Sequence, residues 1–578
     1  MLLVVHNVTS AGRLLDLVPL FHDDFRVQLL VTSTGSSAFQ GGIREIFADL
    51  ELPELPWEQA LSTPVDLAIS ASFGGELAQI QGPLSVISHG VGYTKRLAAG
   101  SGQRAAGSGQ RAAGSGQRAA GSGPTFGLSP DWLLVKGESF VDGFVLSHPE
   151  QLERLERACV EAVPSAVLAG DPCFDRIIAA RPYRDRFRRA LGVRRGQRLV
   201  VLNSTWNPEG FFGNGGGQDI VPSLLPRLAA ELPADDYRLA AVLHPNIWYG
   251  HGPGQVRAWL DRARRSGLAL IDPVHAWRQA LLAADLVIGD FGAVSYYASA
   301  LGTPVLLAAD GQETLDPEAP LADFVRCAPR LDPHAPLRPQ VEEIIERHRP
   351  DARSAKFVTS DPGRSALLLR RHFYASMDLP EPASSASFEP LALPPYTPPR
   401  VTAPLHVRTS VQGTDIVLER STEHPHGAGG DAHLAVHEET RHPGDLELAD
   451  VIMRKGQPDD SRLGSPGTWT SEVLSLHPHC SAAVYVTGPD TCTVRTREHG
   501  VFLLRSTVEA DVDPAACGSA LYAWLAGGGN IPAGGVTLRV HTGNGVHPVV
   551  VDAGSTGCPP RSGAAERPST AGAEPPAE

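Results

Sequence analysis

The chain has 578 residues, of which 42% are hydrophobic and 20% are charged, as is usual for a globular protein with full-sized cores. Its formal net charge of −14 argues against a nucleic-acid partner, because binding to a phosphate backbone requires a clustered positive face. The seven cysteines form no CxxC pair, and no apolar run reaches the roughly 20 residues that span a membrane, so we expect a cytoplasmic protein.

Residues 1–164 alternate short apolar runs with helical patterns, which is typical of parallel strands joined by crossover helices. We therefore predict an N-terminal Rossmann-like lobe. Its strands are predicted at 2–5, 27–32, 66–72, 84–88, 132–135 and 143–146. Its helices are predicted at 10–21, with Ser10 as the N-cap, at 42–50 and at 149–163.

A seven-residue unit that is repeated between residues 98 and 123 interrupts this lobe. Each copy contains two glycines and a serine but no apolar pair that a coiled coil could bury. Such a segment cannot bury enough surface to offset its ordering entropy. We predict a disordered insert.

Residues 165–378 again alternate strand-like apolar runs with helical patterns. Six parallel strands with helices on both faces predict a second, nucleotide-binding Rossmann-like lobe. In such sheets the ligand lies beyond the carboxyl ends of the strands. The strands are predicted at 166–169, 199–203, 237–243, 268–271, 286–289 and 305–308, and the helices at 183–191, 219–231, 255–266, 275–284, 294–301 and 364–376.

The alternation of strands and helices ends at a Pro-rich linker at 379–399. Short strand-like runs separated by Gly, Pro and Asp turns predict a mostly-β accessory domain at 400–553 with one helix at 514–525. No catalytic constellation stands out in this domain. The tail at 554–578, rich in Pro, Gly, Ala and Glu, is predicted to be disordered.

Two histidines, His89 and His244, each follow a predicted strand. A neutral imidazole can take a proton from a hydroxyl at cellular pH. In the structural alternative, each ring simply hydrogen-bonds its own loop. Their matching positions in the two lobes favour a catalytic pair.

A strand, a tight turn and a helix start follow one another at 285–295, with Asp290, Gly292, Ala293 and Ser295 in the turn. Free N–H groups at a helix N-terminus favour a phosphate, although a tight turn alone also requires glycine. The loop at 203–207 adds the Thr205 hydroxyl and the Trp206 ring at another strand end. The glycine cluster at 213–217 does not follow a strand directly and is no dinucleotide fingerprint.

The order of these motifs resembles the CDP-glycerol glycerophosphotransferase family, the GT-B-fold enzymes that polymerise teichoic acid backbones. The family's His-Gly-Thr-Pro-Leu-Lys-Lys, Gly-x-Pro-x-x-Asp, Ala-Pro-Thr-Trp-Arg, His-Pro, Asp-Tyr-Ser-Ser-Val-Ser and Gly-Lys-Pro elements correspond to residues 89–95, 170–175, 203–207, 244–245, 290–295 and 302–304.

The chain departs from this pattern as a divergent member would, with Val91 for Thr, Asn207 for Arg, and Gly292 and Ala293 for the paired Ser residues. These changes remove a guanidinium and several hydroxyls that would hold a pyrophosphate. The same turn is also similar to the Asp-Ser-Gly-Gly of UDP-GlcNAc 2-epimerases and related glycosyltransferases. Their ribose-binding Glu would fall near Tyr296 or Tyr297.

The resemblance implies a GT-B-like transferase that moves a glycerol phosphate, polyol phosphate or sugar from a nucleotide-linked donor such as CDP-glycerol to a polyol or glycan hydroxyl, in cell-envelope polymer synthesis. It implies His89 as the general base and His244 at the donor diphosphate, with Lys95 contacting the acceptor or a phosphate. The implied donor-binding residues are Thr205, Trp206, Asp290, Gly292, Ala293 and Ser295.

The resemblance implies no cofactor and no metal, and it is compatible with a peripheral contact at the inner face of the membrane. Two other functions stay open. One is a UDP-sugar 2-epimerase or ordinary glycosyltransferase. The other is a binding or scaffold protein derived from a GT-B enzyme that has lost turnover.

Overall fold

The computed structural model describes residues 1–88, 90–96, 123–213, 219–423, 431–507 and 511–554. They form two α/β lobes, each built on a parallel sheet, and a closed β-barrel. The predicted fold class, two Rossmann-like lobes with a C-terminal mostly-β domain, is therefore confirmed. His89, the repeated insert apart from its last residue, and the tail beyond Gly554 lie outside the described residues.

The first lobe contains a six-stranded sheet in the order β2-β1-β3-β4-β7-β8, beside which β5 and β6 form a small hairpin. All neighbouring strands of the large sheet are parallel, and β1 and β7 are wholly buried, as near-continuous apolar runs require. The strands are β1 Leu2–Val5, β2 Leu30–Ser33, β3 Ala68–Ser70, β4 Leu84–Val86, β5 Leu134–Val135, β6 Glu138–Ser139, β7 Gly143–Leu146 and β8 Ala166–Leu168.

Five helices accompany these strands: α1 Val8–Leu15, α2 Ile43–Leu50, α3 Trp57–Ser62, α4 Pro130–Leu133 and α5 Pro149–Ala158. Helix α6 Pro172–Ala180 follows β8 but buries Phe174 and Ile177 in the core of the second lobe. The first helix begins two residues earlier than the predicted 10–21 and ends at Leu15. Asn7, not Ser10, is the N-cap: its side chain accepts the Ser10 N–H at 2.9 Å, and Ser10 Oγ accepts the Asn7 N–H in return. A separate 3₁₀ turn containing Pro19 follows at Val18–Phe21.

Two strand predictions were wrong. Residues 132–133 belong to α4, where Pro130 occupies the first helical turn. Strand β8 pairs with β7 at the edge of the first sheet, whereas the prediction counted it in the second. Apolar runs alone do not say which sheet an edge strand joins.

The second lobe is a five-stranded parallel sheet in the order β11-β10-β9-β12-β13. Its strands are β9 Arg198–Ser204, β10 Tyr237–Leu243, β11 Ala269–Leu270, β12 Leu286–Gly289 and β13 Val305–Leu307. Its helices are α7 Arg184–Ala190, α8 Val221–Glu231, α9 Pro245–His251, α10 Pro253–Trp259, α11 Asp261–Arg265, α12 Trp277–Ala283, α13 Ala293–Ala300, α14 Pro320–Cys327, α15 Leu337–Arg347 and α16 Ala352–Val358.

The last helix of this part of the chain, α17 Ser365–Ser376, returns to the first lobe. Its side chains Leu369, Phe373 and Tyr374 are buried in the core of that lobe. The Pro-rich segment that follows contains no regular structure in its described residues, but it packs on both lobes. Phe388 contacts the first-lobe core and Leu391 contacts the second.

The C-terminal domain is a closed nine-stranded barrel with a helix in its interior. It comprises β14 Leu405–Gln412, β15 Asp415–Ser421, β16 Asp431–His437, β17 Val451–Lys455, β18 Ala482–Val486, β19 Thr491–Thr496, β20 Gly500–Arg505, β21 Val536–Thr542 and β22 Gly545–Ala553, with helices α18 Pro443–Leu448, α19 Pro466–Leu476 and α20 Pro514–Ala526. Helix α20 is apolar almost all round and shares one core with the barrel strands, as a helix enclosed by a sheet must.

A buried ionic cluster joins the barrel to the second lobe. Arg420, on β15, donates to both carboxylate oxygens of Asp235 at 2.6 and 2.7 Å and to Asp513 at 2.8 Å. Arg194 lies 3.5 Å from Asp235 and 3.3 Å from Asp513. Arg420 and Asp235 are almost fully buried. The appended domain is therefore anchored to one lobe.

Candidate functional site

Three loops of the second lobe meet at one edge because their strands are neighbours. Strand β9 pairs in parallel with β10 on one side and β12 on the other. Their carboxyl ends therefore place the loop at 205–213, His244 and the turn at 290–292 side by side. This is the edge at which the sequence predicted a ligand.

The Asp290 carboxylate holds the backbone of two loops at this edge by hydrogen bonds. Asp290 is fully buried, and its carboxylate accepts the N–H groups of Thr205 at 2.8 Å, Phe211 at 3.0 Å and Gly292 at 3.0 Å. Burial raises the pKa of this carboxyl, while these hydrogen bonds and the Lys95 charge oppose the rise. The structure places Asp290 beneath the predicted donor site, where it holds two loops together, and not on its surface.

Helix α13 begins at this turn. Gly292 is its N-cap, and a Cβ at this position would come within 3.0 Å of Asp290 Oδ1. Ala293 is half-buried, and N–H groups in a first helical turn have no intrahelical acceptor. Ser295 points inward, because it is fully buried and accepts a hydrogen bond from Asn203 Nδ2 at 2.7 Å. Because Asp290 already accepts the Gly292 N–H, the groups that this helix start can offer to an anion are the N–H groups from Ala293 onwards.

The loop after β9 presents an aromatic ring at the cleft. Thr205 is buried by the turn, but Trp206 is 42% exposed. The Trp206 ring lies edge-on to Phe39 of the first lobe, with 5.1 Å between the centroids. Phe39 also approaches Gly250 on α9. The Trp206 side chain therefore stands where the lobes meet.

His244 is the N-cap of helix α9. Its Nδ1 accepts the N–H of Asn246 at 3.1 Å. An Nδ1 that accepts a backbone N–H carries no proton, so the proton of the neutral ring is on Nε2. In this tautomer Nε2 can donate a hydrogen bond to an anionic oxygen.

Lys95 reaches the same edge from the first lobe. Its Nζ donates to Asn207 Oδ1 at 3.2 Å and lies 5.8 Å from the centroid of the Phe291 ring. Burial lowers the pKa of this ammonium, and the charges of Asp290 and Glu209 oppose the fall. The Lys95 amine therefore lies between the turn at Phe291 and the loop in which Asn207 occupies the position of an arginine in the motif that this loop resembles.

The two tyrosines of α13 do not face the cleft. The Tyr297 hydroxyl donates to Asp171 Oδ2 at 2.6 Å and accepts from Arg13 at 2.8 Å, and all three residues are buried. Tyr296 is buried against Phe324. The Tyr297 hydroxyl is thus taken up by Arg13 and Asp171, and Tyr296 lines a separate cavity between α13 and α16.

Sequence reasoning missed this network, which joins both lobes. Asp171 also caps α6 by accepting the Phe174 N–H at 3.0 Å. Asp16, the C-cap of α1, binds Arg176 and, at 2.6 Å, Arg278 of the second lobe. The motif at 170–175 was the signal that could have pointed to Asp171, but it gave no partner for it.

The other predicted catalytic residue, His89, lies outside the described residues. Its chain neighbours Ser88 and Gly90 line a cavity of about 20 Å³ together with Arg13 and Asp171. A larger cavity of about 600 Å³ lies between α13, α14, α15 and α16 and includes none of the predicted site residues.

Over the described ranges, no group of three or more His, Cys, Asp or Glu residues is arranged to hold a metal ion. His477 and His479, which flank Pro478, belong to no such group. Among the helices that the structure describes, none is long and apolar enough to cross a membrane.

Two parallel-sheet lobes that meet at their loop edges define a GT-B-like α/β class. Solved structures similar to this chain include the wall teichoic acid polymerase TagF, at 13% identity over 65% of this chain and 89% of that chain with a TM-score of 0.42. They also include S. aureus MnaA with UDP, at 13% identity over 67% of this chain and 99% of that chain with a TM-score of 0.36. A third is Methanocaldococcus jannaschii UDP-GlcNAc 2-epimerase with UDP-GlcNAc and UDP, at 10% identity over 64% of this chain and 99% of that chain with a TM-score of 0.40. No family model and no curated protein matches the sequence. The class rests on the strand topology, since likenesses at this level assign no family.

Proposed function

We propose that the protein transfers a glycerol phosphate or related polyol phosphate from a cytidine-diphosphate-linked donor to a hydroxyl acceptor. The main support for this proposal is that three features able to bind an anion lie at one edge of the second-lobe sheet. These are the α13 start at Gly292, the Lys95 ammonium and the His244 ring. A helix start and a cation fit a diphosphate, and the ordered motifs of the sequence favour CDP-glycerol.

In this mechanism the acceptor hydroxyl attacks the phosphorus attached to glycerol. The bond from that phosphorus to the bridging oxygen breaks, and CMP leaves. His89 is assigned, on its sequence position, as the base that takes the hydroxyl proton. Nε2–H of His244 and the ammonium of Lys95 stabilise charge that develops on the diphosphate. Phosphoryl transfer depends mainly on such positioning and electrostatics.

A UDP-sugar enzyme is the second candidate, because its family shares the turn at 290–295. One observation weighs against it. The side chains near the position of that family's ribose-binding carboxylate are Tyr296 and Tyr297. The Tyr297 hydroxyl is held by Asp171, and Tyr296 lines a different cavity, between α13 and α16.

The glycerophosphotransferase role would require the protein to work in the cytoplasm, with access to a membrane-attached or soluble polyol or glycan acceptor.

The test is nucleotide release from defined donors. The proposal predicts CMP from CDP-glycerol in the presence of glycerol phosphate oligomers, and no UDP from UDP-GlcNAc. Release of UDP alone supports the second candidate and overturns the first. Absence of release from every donor, with nucleotide binding retained, supports the scaffold alternative.

A further inference from the structure

A short segment of the first lobe is attached to the second. Residues 93–96, here called the arm, carry Lys95. Arg96 N–H donates to Thr314 O at 2.8 Å, and Asp316 N–H donates to Thr94 O at 2.8 Å. These bonds form an antiparallel bridge between Lys95 and Leu315. Leu315 is buried in the second-lobe core.

The arm is also bonded to the first lobe, where the Phe126 N–H donates to Lys95 O at 2.9 Å, and the Asp316 carboxylate joins the bridge to two further groups of that lobe. Asp316 Oδ2 accepts the Thr125 hydroxyl at 2.8 Å and Arg154 Nη1 at 3.2 Å. The same Arg154 nitrogen donates to Tyr93 O at 2.6 Å. Asp316 and Arg154 are both almost fully buried. Asp316 thus holds the arm by its backbone, through Arg154, and through Thr125.

The position of Lys95 follows from these contacts. Its Nζ is held against Asn207 of the second lobe, although its backbone belongs to the first. The charged groups that face it are Asp290 and Glu209. Without an attached arm, the turn at Gly292 loses its neighbouring cation, because Asn207 supplies none.

We propose that Asp316 is a positioning residue that fixes the arm on the second lobe, so that Lys95 completes the binding site for a nucleotide diphosphate from the opposite lobe. The diphosphate part of this inference rests on the proposed function. Its structural part does not, because it concerns where the arm lies in the free protein. The donor site is therefore complete only when the two lobes are together.

Lysine labelling tests the structural part without a ligand. The chain contains four lysines. Lys136, Lys356 and Lys455 are exposed and Lys95 is half-buried. An amine-reactive ester followed by mass spectrometry should label Lys95 more slowly than the other three, by roughly tenfold if labelling requires local opening. Asp316→Ala should bring Lys95 close to the exposed lysines, and Asp316→Asn should restore part of the protection.

Glu318→Ala is the matched control. Its carboxylate forms an ion pair with Arg157 at 2.7 Å in the same region, but both side chains are largely exposed, and such pairs contribute little. Lys95 should remain protected in this variant. Unchanged protection of Lys95 in a folded Asp316→Ala protein overturns the inference and leaves the proposed function standing.

Nucleotide affinity tests the functional part, with CDP and UDP as the probes in calorimetry. Lys95→Met should weaken binding of the preferred probe by about 10- to 100-fold, as expected for one charge-assisted hydrogen bond. Asp316→Ala should weaken it in the native background but not further in the Lys95→Met background. Additive losses overturn the positioning role. If Lys95→Met leaves affinity unchanged, or neither probe binds, the diphosphate site fails instead.

Discussion

Asp290 holds the N–H groups of Thr205, Phe211 and Gly292 with one buried carboxylate. In Asp290→Asn, the amide nitrogen would face donors and leave at least one of them unpaired. An unpaired buried donor costs about 1–3 kcal/mol, so urea unfolding should show a loss of that size in stability. Nucleotide binding should weaken as well.

The matched control for this substitution is Asp310→Asn, in which an exposed carboxylate paired with Arg330 is changed. Its stability should stay within about 0.5 kcal/mol of the native protein, as is usual for surface changes. Equal stability of the Asp290 and Asp310 variants would contradict the organising role of Asp290.

We expect His433 to make the stability of the barrel sensitive to acid. It is buried in the barrel wall beside Tyr522, 4.8 Å between ring centroids, and burial lowers its pKa from 6.5 to about 4. A folded pKa below the unfolded one means that stability is full above about pH 6.5 and falls as the pH drops towards 4.

His433→Leu should remove this part of the acid sensitivity, which amounts to at most about 3 kcal/mol. The measurement is the unfolding free energy at neutral pH and at pH 4 for this variant and for His479→Leu, a change at an exposed histidine of the same domain. An identical pH dependence in both variants would argue against a buried neutral His433.

At the scale of elements, helix α9 depends on His244 for its N-cap. His244→Ala should destabilise the protein by about 0.5–2 kcal/mol, the usual cost of losing a cap, whereas His244→Asn keeps an accepting side chain. Both variants should lose transfer. His251→Asn, at the exposed end of the same helix, should lose neither. Full activity of His244→Asn would show that the residue is only a cap.

Most elements of the second lobe could be predicted, because strands such as β9 and β10 contain apolar runs, at 199–202 and 239–243, and capping residues such as His244 follow them. The errors arose where a local pattern allowed two outcomes. Asn7 and Ser10 can both cap a helix, and only their reciprocal hydrogen bonds decide. The membership of β8 depends on pairing with β7, which is a tertiary contact.

In the candidate site, too, local sequence patterns predicted some features and tertiary contacts decided the others. Motif order could place His244, Trp206 and Gly292 at one edge, because parallel strands share the direction in which they end. It could not show that Asp290 and Ser295 are buried, since a strand-end residue can turn either way. The contact from Lys95 to Asn207 spans 112 positions and two lobes, and no local pattern encodes it.

At the scale of the whole molecule, the buried cluster around Arg420 determines whether the barrel stays on the second lobe. Arg420→Met would leave Asp235 and Asp513 without their main partner, and removing one partner of a buried ion pair typically costs about 3–5 kcal/mol. Calorimetry should then show a separate, lower-temperature transition for the barrel, and limited proteolysis should cut between residues 379 and 404.

Arg338→Met is the control for this prediction, because Arg338 pairs with Glu419 of the barrel but is 36% exposed. A loss below about 1 kcal/mol is expected for such a pair. Equal effects of the two substitutions would indicate that the barrel is not held by its buried charges.

The central claim is that a nucleotide diphosphate binds at the start of helix α13 beside Lys95 and His244. The most direct test is the thermal stability of the whole protein with CDP-glycerol, CMP, UDP, UDP-GlcNAc and GDP-sugars. A ligand at about 100 times its Kd stabilises its domain by roughly 2.7 kcal/mol. The account predicts such a shift with CDP-glycerol and none with the uridine and guanosine compounds. If none of these nucleotides raises the melting temperature of the protein, the claim is contradicted.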